Sequence, residues 1–204
     1  MKFIKIILAL AVMAFFSGGF FPAAAGTESA TFQLKTSIDQ ILDVLRDPEF
    51  KAENQKDARR EKLRQIAGHR FDYRRMSQLS LAKHWRGRSD GEKEEFTHLF
   101  SALLEDAYMS KIESYTDEKV VFLKERIKKK KTKEYAKINT KIITQSAEIP
   151  IDYMMFRVGS GPWMVYDMVI EGVSMVNNYR SQFGQILERE SFDTLIKQLK
   201  DKDK

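Results

Sequence analysis

The stretch Trp163-Met164-Val165-Tyr166-Asp167-Met168-Val169-Ile170-Glu171-Gly172-Val173-Ser174-Met175-Val176-Asn177-Asn178-Tyr179-Arg180-Ser181-Gln182-Phe183 decides how this chain folds. Its first part reads as a strand, because Trp163, Val165, Tyr166, Val169 and Ile170 are aromatic or β-branched and Gly161-Pro162 supplies a turn before them. Trp163, Val165 and Val169 share one parity with Asp167, and Met164, Tyr166, Met168 and Ile170 share the other, so both faces of the strand are expected to be covered. After Glu171-Gly172 the period changes. Tyr179, Phe183, Ile186 and Leu187 fall at helical spacing, and strand gives way to helix close to Gly172.

Upstream of this junction the pattern remains that of strands, read as Lys119–Glu125, Glu134–Thr144, Ile149–Val158 and Trp163–Ile170. The second alternates cleanly: Ala136, Ile138, Thr140 and Ile142 take one face, and Tyr135, Lys137, Asn139 and Lys141 the other, as a half-covered antiparallel sheet requires. Gly159-Ser160-Gly161 marks a tight hairpin before the fourth strand. Between the first and second strands, Lys124 to Lys133 holds Arg126 and the run Lys128-Lys129-Lys130-Lys131, which reads as a solvated hairpin tip, with an anionic partner or bilayer as the alternative.

Helices fill the first half. Leu34, Ile38, Ile41, Leu42 and Leu45 form one stripe that ends before Pro48. Leu63, Ile66 and Ala67 give a narrow apolar edge on a second helix over 55–67, with Gly68 as its expected stop. Shorter turns follow over 71–83, and Trp85 anchors the next loop. The longest helix starts at Ser89, whose hydroxyl and Glu92 three residues on make a capping box, and carries Phe96, Leu99, Phe100, Leu103, Leu104, Ala107, Tyr108, Ile112 and Tyr115. Most of that face is read as core, though its large aromatic and flexible residues also suit a cavity for an apolar ligand. Two helices, about 178–188 and 192–199, close the chain.

Lys2 and Lys5, the apolar run from Ile6 to Phe16 and Ala23-Ala24-Ala25 read as a cleavable secretory signal peptide over 1–25, leaving 26–204 as a single domain. Its removal takes two lysines from a formal charge of +6, so the remainder is mildly basic, and export makes nucleic acid an unexpected partner. With no cysteine in 204 residues there is neither disulfide nor lipid-attachment thiol, and the fold must rest on its core. His69, His84 and His98 match no zinc spacing, and no nucleophile elbow, phosphate loop or His-Glu-x-x-His is present. Asp167 and Glu171 are the one carboxylate pair to weigh for acid-base work; the plainer expectation is that Asp167 bonds backbone or Arg180 and Glu171 helps cap or orient the next helix.

The run Asp167 to Met175, followed by Asn178-Tyr179-Arg180-Ser181-Gln182-Phe183, resembles the signature of the MlaC family, exported phospholipid-binding proteins once called toluene-tolerance auxiliary components. The resemblance extends upstream through Phe71-Asp72, Met76, Trp85, Glu95-Phe96 and Phe100, although the lysine-rich hairpin is unusually basic and Met154 and Phe156 stand where polar residues are expected on the outer sheet face. It implies an α+β fold, a curved antiparallel sheet of about four strands with several helices packed on it and an apolar lipid cavity inside. It implies a periplasmic carrier, not an enzyme, that needs no cofactor and moves glycerophospholipid as a monomer between an outer-membrane lipoprotein-porin complex and an inner-membrane transporter with MCE domains, preserving outer-membrane lipid asymmetry. On that reading Phe96, Phe100, Leu103, Leu104 and Tyr108 face Ile138, Ile142, Tyr153, Met155, Val165 and Val169 across the tail cavity, Val173, Met175 and Tyr179 complete its wall, and Arg180 is the candidate head-group contact. Two rivals stand beside it: a small-molecule enzyme of cone-shaped α+β fold using Asp167, and a chaperone or adaptor that binds protein.

Overall fold

The computed structural model describes residues 28–113 and 118–202; the expected signal peptide and Tyr115 lie outside them. Ser29 caps α1 (Ala30–Arg46) by accepting from the Phe32 amide, and Ala30, Leu34, Ser37 and Val44 are its buried residues. After two single 3₁₀ turns comes α2 (Lys56–Arg70), which runs through Gly68 instead of stopping there. What ends it is tertiary: Phe71 bridges Val165, and the Asp72 amide donates to the Val165 carbonyl at 2.9 Å. Asp72 then caps α3 (Tyr73–Leu81) through the Arg75 amide at 2.7 Å.

The expected capping box opens α4 (Asp90–Glu113): the Glu92 amide donates to the Ser89 hydroxyl at 3.2 Å, and the Ser89 amide to the Glu92 carboxylate at 2.6 Å. Five strands follow, β1 (Lys119–Lys130), β2 (Lys133–Ile143), β3 (Glu148–Val158), β4 (Met164–Ile170) and β5 (Val173–Ser174), in one open antiparallel sheet of order β1-β2-β3-β4-β5. The fifth is new relative to the four expected. Glu171 (φ 49°) and Gly172 (φ 84°) both adopt positive φ and turn β4 tightly into it. Ser174 then caps α5 (Met175–Leu187) by accepting from the Asn177 amide, so capping falls to Ser174 and not to Glu171. A last helix, α6 (Phe192–Lys202), completes the chain.

The expected lysine loop is largely strand. β1 continues to Lys130, paired with Lys133, and only Lys131 (φ 55°) and Thr132 form the turn. In β4 the register slips between Met154 and Met155, so Met155 opposes Val165 whereas Met154 opposes Asp167 and Asp152 opposes Val169. Opposed residues share a face, and Val169 therefore lies on the opposite side of the sheet from Val165. One face carries Ala136, Ile138, Tyr153, Met155 and Val165 under Ala30 and Leu34 of α1. The other gathers Tyr135, Phe156 and Tyr166 with ring centroids 5.9 to 6.5 Å apart, which accounts for Phe156 on a face where polar residues were expected.

Candidate functional site

The apolar interior is divided. In the helical half, Phe96, Phe100 and Leu104 of α4 pack with Met76 and Leu81 of α3, Met175 and Phe183 of α5 and Leu195 of α6. Its centre is aromatic: Phe96 meets Phe183 edge-on at 5.5 Å, and Phe100 meets Tyr179 and Phe183 edge-on at 5.1 and 5.4 Å. The sheet half closes separately beneath α1. Three half-buried residues, Phe71, Met168 and Ile170, touch both. A third, smaller group of Val44, Leu63 and Met109 joins α1, α2 and α4.

This grouping corrects the expected facing. The long helix packs against other helices, and α1, not α4, covers Ile138, Tyr153, Met155 and Val165. Phe96, Phe100, Leu104 and Met175 are buried in the helical half, while Leu103, Tyr108 and Tyr179 are half-buried at its margin. Ile142 is half-buried at the margin of the sheet half. Val173 is 61% exposed and Arg180 is exposed on α5, so neither is part of an interior wall. The seam residues Phe71, Met168 and Ile170 were not among the expected contacts. A parity count that allowed for a bulge at Tyr166 would have found Met168 and Ile170 beside Tyr153 and Ile151.

Two further features hold the halves in register. The Arg70 guanidinium donates to Gln33 Oε1 at 2.8 Å, to the Ser37 hydroxyl at 2.9 Å and to the Trp163 carbonyl, and the Trp163 amide donates back to Gln33 Oε1 at 3.0 Å. One side chain thereby joins α1, α2 and the start of β4. Asp167, buried, accepts from the Ser174 hydroxyl at 2.6 Å and from the Val176 amide at 3.0 Å, pinning the N-terminus of α5 to β4. Of the two partners expected for Asp167, backbone or Arg180, the backbone is the one found, at the Val176 amide, with the Ser174 hydroxyl on the other oxygen, so Asp167 serves the start of α5.

Burial pushes the Tyr153 hydroxyl up to about 12 and raises that of Tyr108, and burial followed by the neighbouring Tyr108 raises Tyr179. Among the described residues, two surface depressions lie beside Glu92, Asp193 and Lys200, and on α5 around Asn177, Arg180 and Glu188. Among the described residues no group of three or more His, Asp or Glu is placed to hold a metal ion, and no helix is long and apolar enough to cross a membrane.

Together the open sheet, its helical cover and the divided apolar interior define an α+β protein built around two greasy compartments with a seam between them. The chain belongs to the MlaC protein family, whose model matches residues 35–201. It is 32% identical over 119 residues to the intermembrane phospholipid transport system binding protein MlaC of Haemophilus influenzae, a match that covers 57% of this chain and 55% of that relative, about half of its length. The fold is that of a phospholipid-binding protein from Ralstonia solanacearum solved in complex with a phospholipid, with a TM-score of 0.76 at 21% identity over 86% of this chain and 97% of that one. Both relatives are described as phospholipid-binding or phospholipid-transport proteins, and neither description is of an enzyme.

Proposed function

We propose that this chain is a non-enzymatic phospholipid carrier whose acyl tails enter by parting the seam between its helical and sheet halves. The observation that carries this reading is the divided interior: among the described residues Phe71, Met168 and Ile170 are the apolar side chains that pack against both halves, and the polar links between the halves lie at the ends of α3 and α5, where Asp72 bonds Val165 and Asp167 holds Ser174 and Val176. Separating the halves therefore costs a few half-buried contacts, while the aromatic centre of the helical half stays intact. Leu103, Tyr108 and Tyr179, half-buried at the margin, are the helical residues best placed to meet a tail.

Two acyl tails withdraw about 30 methylenes from water, worth on the order of 20 kcal/mol, so no exposed groove would hold them. Relative to a bilayer, where the same methylenes are already dry, the exchange is close to balanced, as a shuttle needs. The family and the relatives' names support phospholipid as the ligand. A periplasmic location after removal of residues 1–25, and exchange with an outer-membrane lipoprotein-porin complex and an inner-membrane MCE-domain transporter, complete the proposal. Arg180, exposed on α5, is the candidate head-group contact.

The test is native mass spectrometry of protein purified without detergent. A mass increment equal to a diacyl phospholipid is expected, and Met168→Glu, with circular dichroism unchanged, should lower the loaded fraction at least about tenfold. Protein with no such increment and no lipid in an organic extract sinks the carrier; undiminished loading of Met168→Glu moves the tails away from the seam.

A further inference from the structure

The β1–β2 ribbon carries charge that the fold does not use. Between residues 124 and 133 stand six lysines and one arginine against a single acid, Glu125, which is itself occupied in accepting from the Thr31 amide at 3.0 Å. Lys130 lies directly opposite Lys133, a like-charge pair that weakens the ladder. Among the described residues Lys129 reaches Glu134 only at 3.8 Å, and Glu134 is already paired with Arg157. Among the described residues no ion pair joins Lys124, Arg126, Lys128, Lys130, Lys131 or Lys133 to an acid.

Lysines also blunt the edge of a sheet against unwanted pairing, and β1 is an edge strand. That purpose explains the charges and nothing else. It does not explain the apolar residues set among them: Leu123 is 54% exposed, Ile127 51% and Val158 51%, the last directly opposite Lys133. Nor does it explain the row that crosses the outer face, where Lys128 opposes Tyr135, Tyr135 opposes Phe156 and Phe156 opposes Met164. Near the turn Val158 shares the outer face with Lys128, Lys130 and the Tyr135 and Phe156 rings, while Ile127, opposite Ala136, is an exposed aliphatic on the other face; cations, aliphatics and amphipathic rings together are the composition of a surface that rests in a lipid interface.

We propose that the ribbon from Leu123 to Lys133, with the adjoining Tyr135–Phe156–Tyr166 face, docks on an anionic phospholipid bilayer surface. The charge points both ways across the ribbon, since Lys129 shares a face with Glu134 while Lys128 shares the other with Tyr135, and Lys131 sits in the turn. A rigid acidic protein surface meets one side of such a ribbon; a diffuse layer of lipid phosphates meets all of it. Six lysines to one arginine fits the same partner, because a hydrated point charge suits a surface potential and a guanidinium fork suits a carboxylate. The lysines of the ribbon are not among the residues that pack against the two halves, so replacing them is expected to leave the proposed lipid load untouched.

The test is flotation of the purified protein with vesicles of phosphatidylcholine alone and of phosphatidylcholine containing phosphatidylglycerol, at low and at 0.5 M salt. Partition onto the anionic vesicles should exceed that onto the neutral ones by at least about tenfold and fall away at high salt. Combined Lys128→Gln, Lys129→Gln, Lys130→Gln and Lys131→Gln should cost on the order of 1,000-fold in partition, with the loaded fraction in native mass spectra unchanged. Ile127→Ser with Val158→Ser should cost about threefold more weakly salt-dependent binding. Equal partition onto both vesicle types, or undiminished anionic partition of the quadruple variant, overturns the proposal. So does capture by polyglutamate without vesicle binding, which assigns the ribbon to an acidic protein.

Discussion

Phe96 and Met155 are both fully buried, yet different things keep them so. Around Phe96 the rings of Phe100, Phe183 and Phe192 converge from α4, α5 and α6 at 5.5 to 6.1 Å, an interlock in which each helix holds the others. Over Met155 lies α1, with Phe71 and Trp163 beside it, and α1 is seated by polar bonds through Gln33, Ser37 and Arg70 as well as by Ala30 and Leu34. The helical half is thus fixed by shape. The sheet half is covered by an element whose seat is largely polar, so the two halves differ in what holds them closed and are expected to open at different free energies.

The largest expected effect is on the interlock itself. Phe100→Ala should cost about 4 kcal/mol, read from the midpoint of denaturant unfolding, because its edge-on contacts with Tyr179 and Phe183 vanish and three helices cannot all close the gap. Next, Arg70→Ala should cost about 2 kcal/mol, and hydrogen exchange should speed up in α1 while α4 to α6 keep their protection. Equal loss of protection in both halves would break the contrast. The smallest effect concerns the clamp between α2 and α4, where Arg59 and Arg60 grip Glu113 at 2.7 and 2.8 Å.

Hydrogen bonding from Arg60, then from Arg59, against the opposing effect of burial, holds the Glu113 carboxyl at about 2, below its model-compound value of 4.5. A carboxyl lowered on folding adds stability that is fully present above pH 4.5 and is lost as pH falls toward 2. Glu113→Gln should therefore cost about 1 kcal/mol near neutrality, and the gap from the unsubstituted protein should narrow between those pH values. A constant gap across that range would mean that shape, not charge, sets this clamp.

Local grammar was legible in the sequence and tertiary grouping was not. Ser89 and Glu92 announce the start of α4 because both partners of the box lie within one turn. The alternation of Ala136, Ile138 and Thr140 likewise gives the buried face of β2 directly. The failures have a common cause. Gly68 was expected to end α2, but a helix ends where its next residue finds a better bond, and Phe71 and Asp72 find theirs on Val165, far along the chain. The bulge at Tyr166 leaves composition unaltered while reversing the facing of every later residue in β4, so Val169 was assigned to the wrong side. The apolar residues proposed for the site were recognisable as such; which of them share a compartment was decided by α1, whose stripe carries no mark of the sheet it covers.

The bond between Gln33 and the Trp163 amide spans 130 residues, and it sets an order of events. A chain that emerges amino end first offers its first helix long before the strands that helix must shelter exist. Until the strands that carry Ala136, Ile138, Tyr153 and Met155 arrive, the stripe of Leu34 and Ile38 has no counterpart, and until residue 163 it lacks its polar anchor, so the early segment travels unfinished and greasy. Maturation of this molecule is therefore a late, whole-chain event, and anything that delays the last strand leaves that first helix in need of a temporary companion.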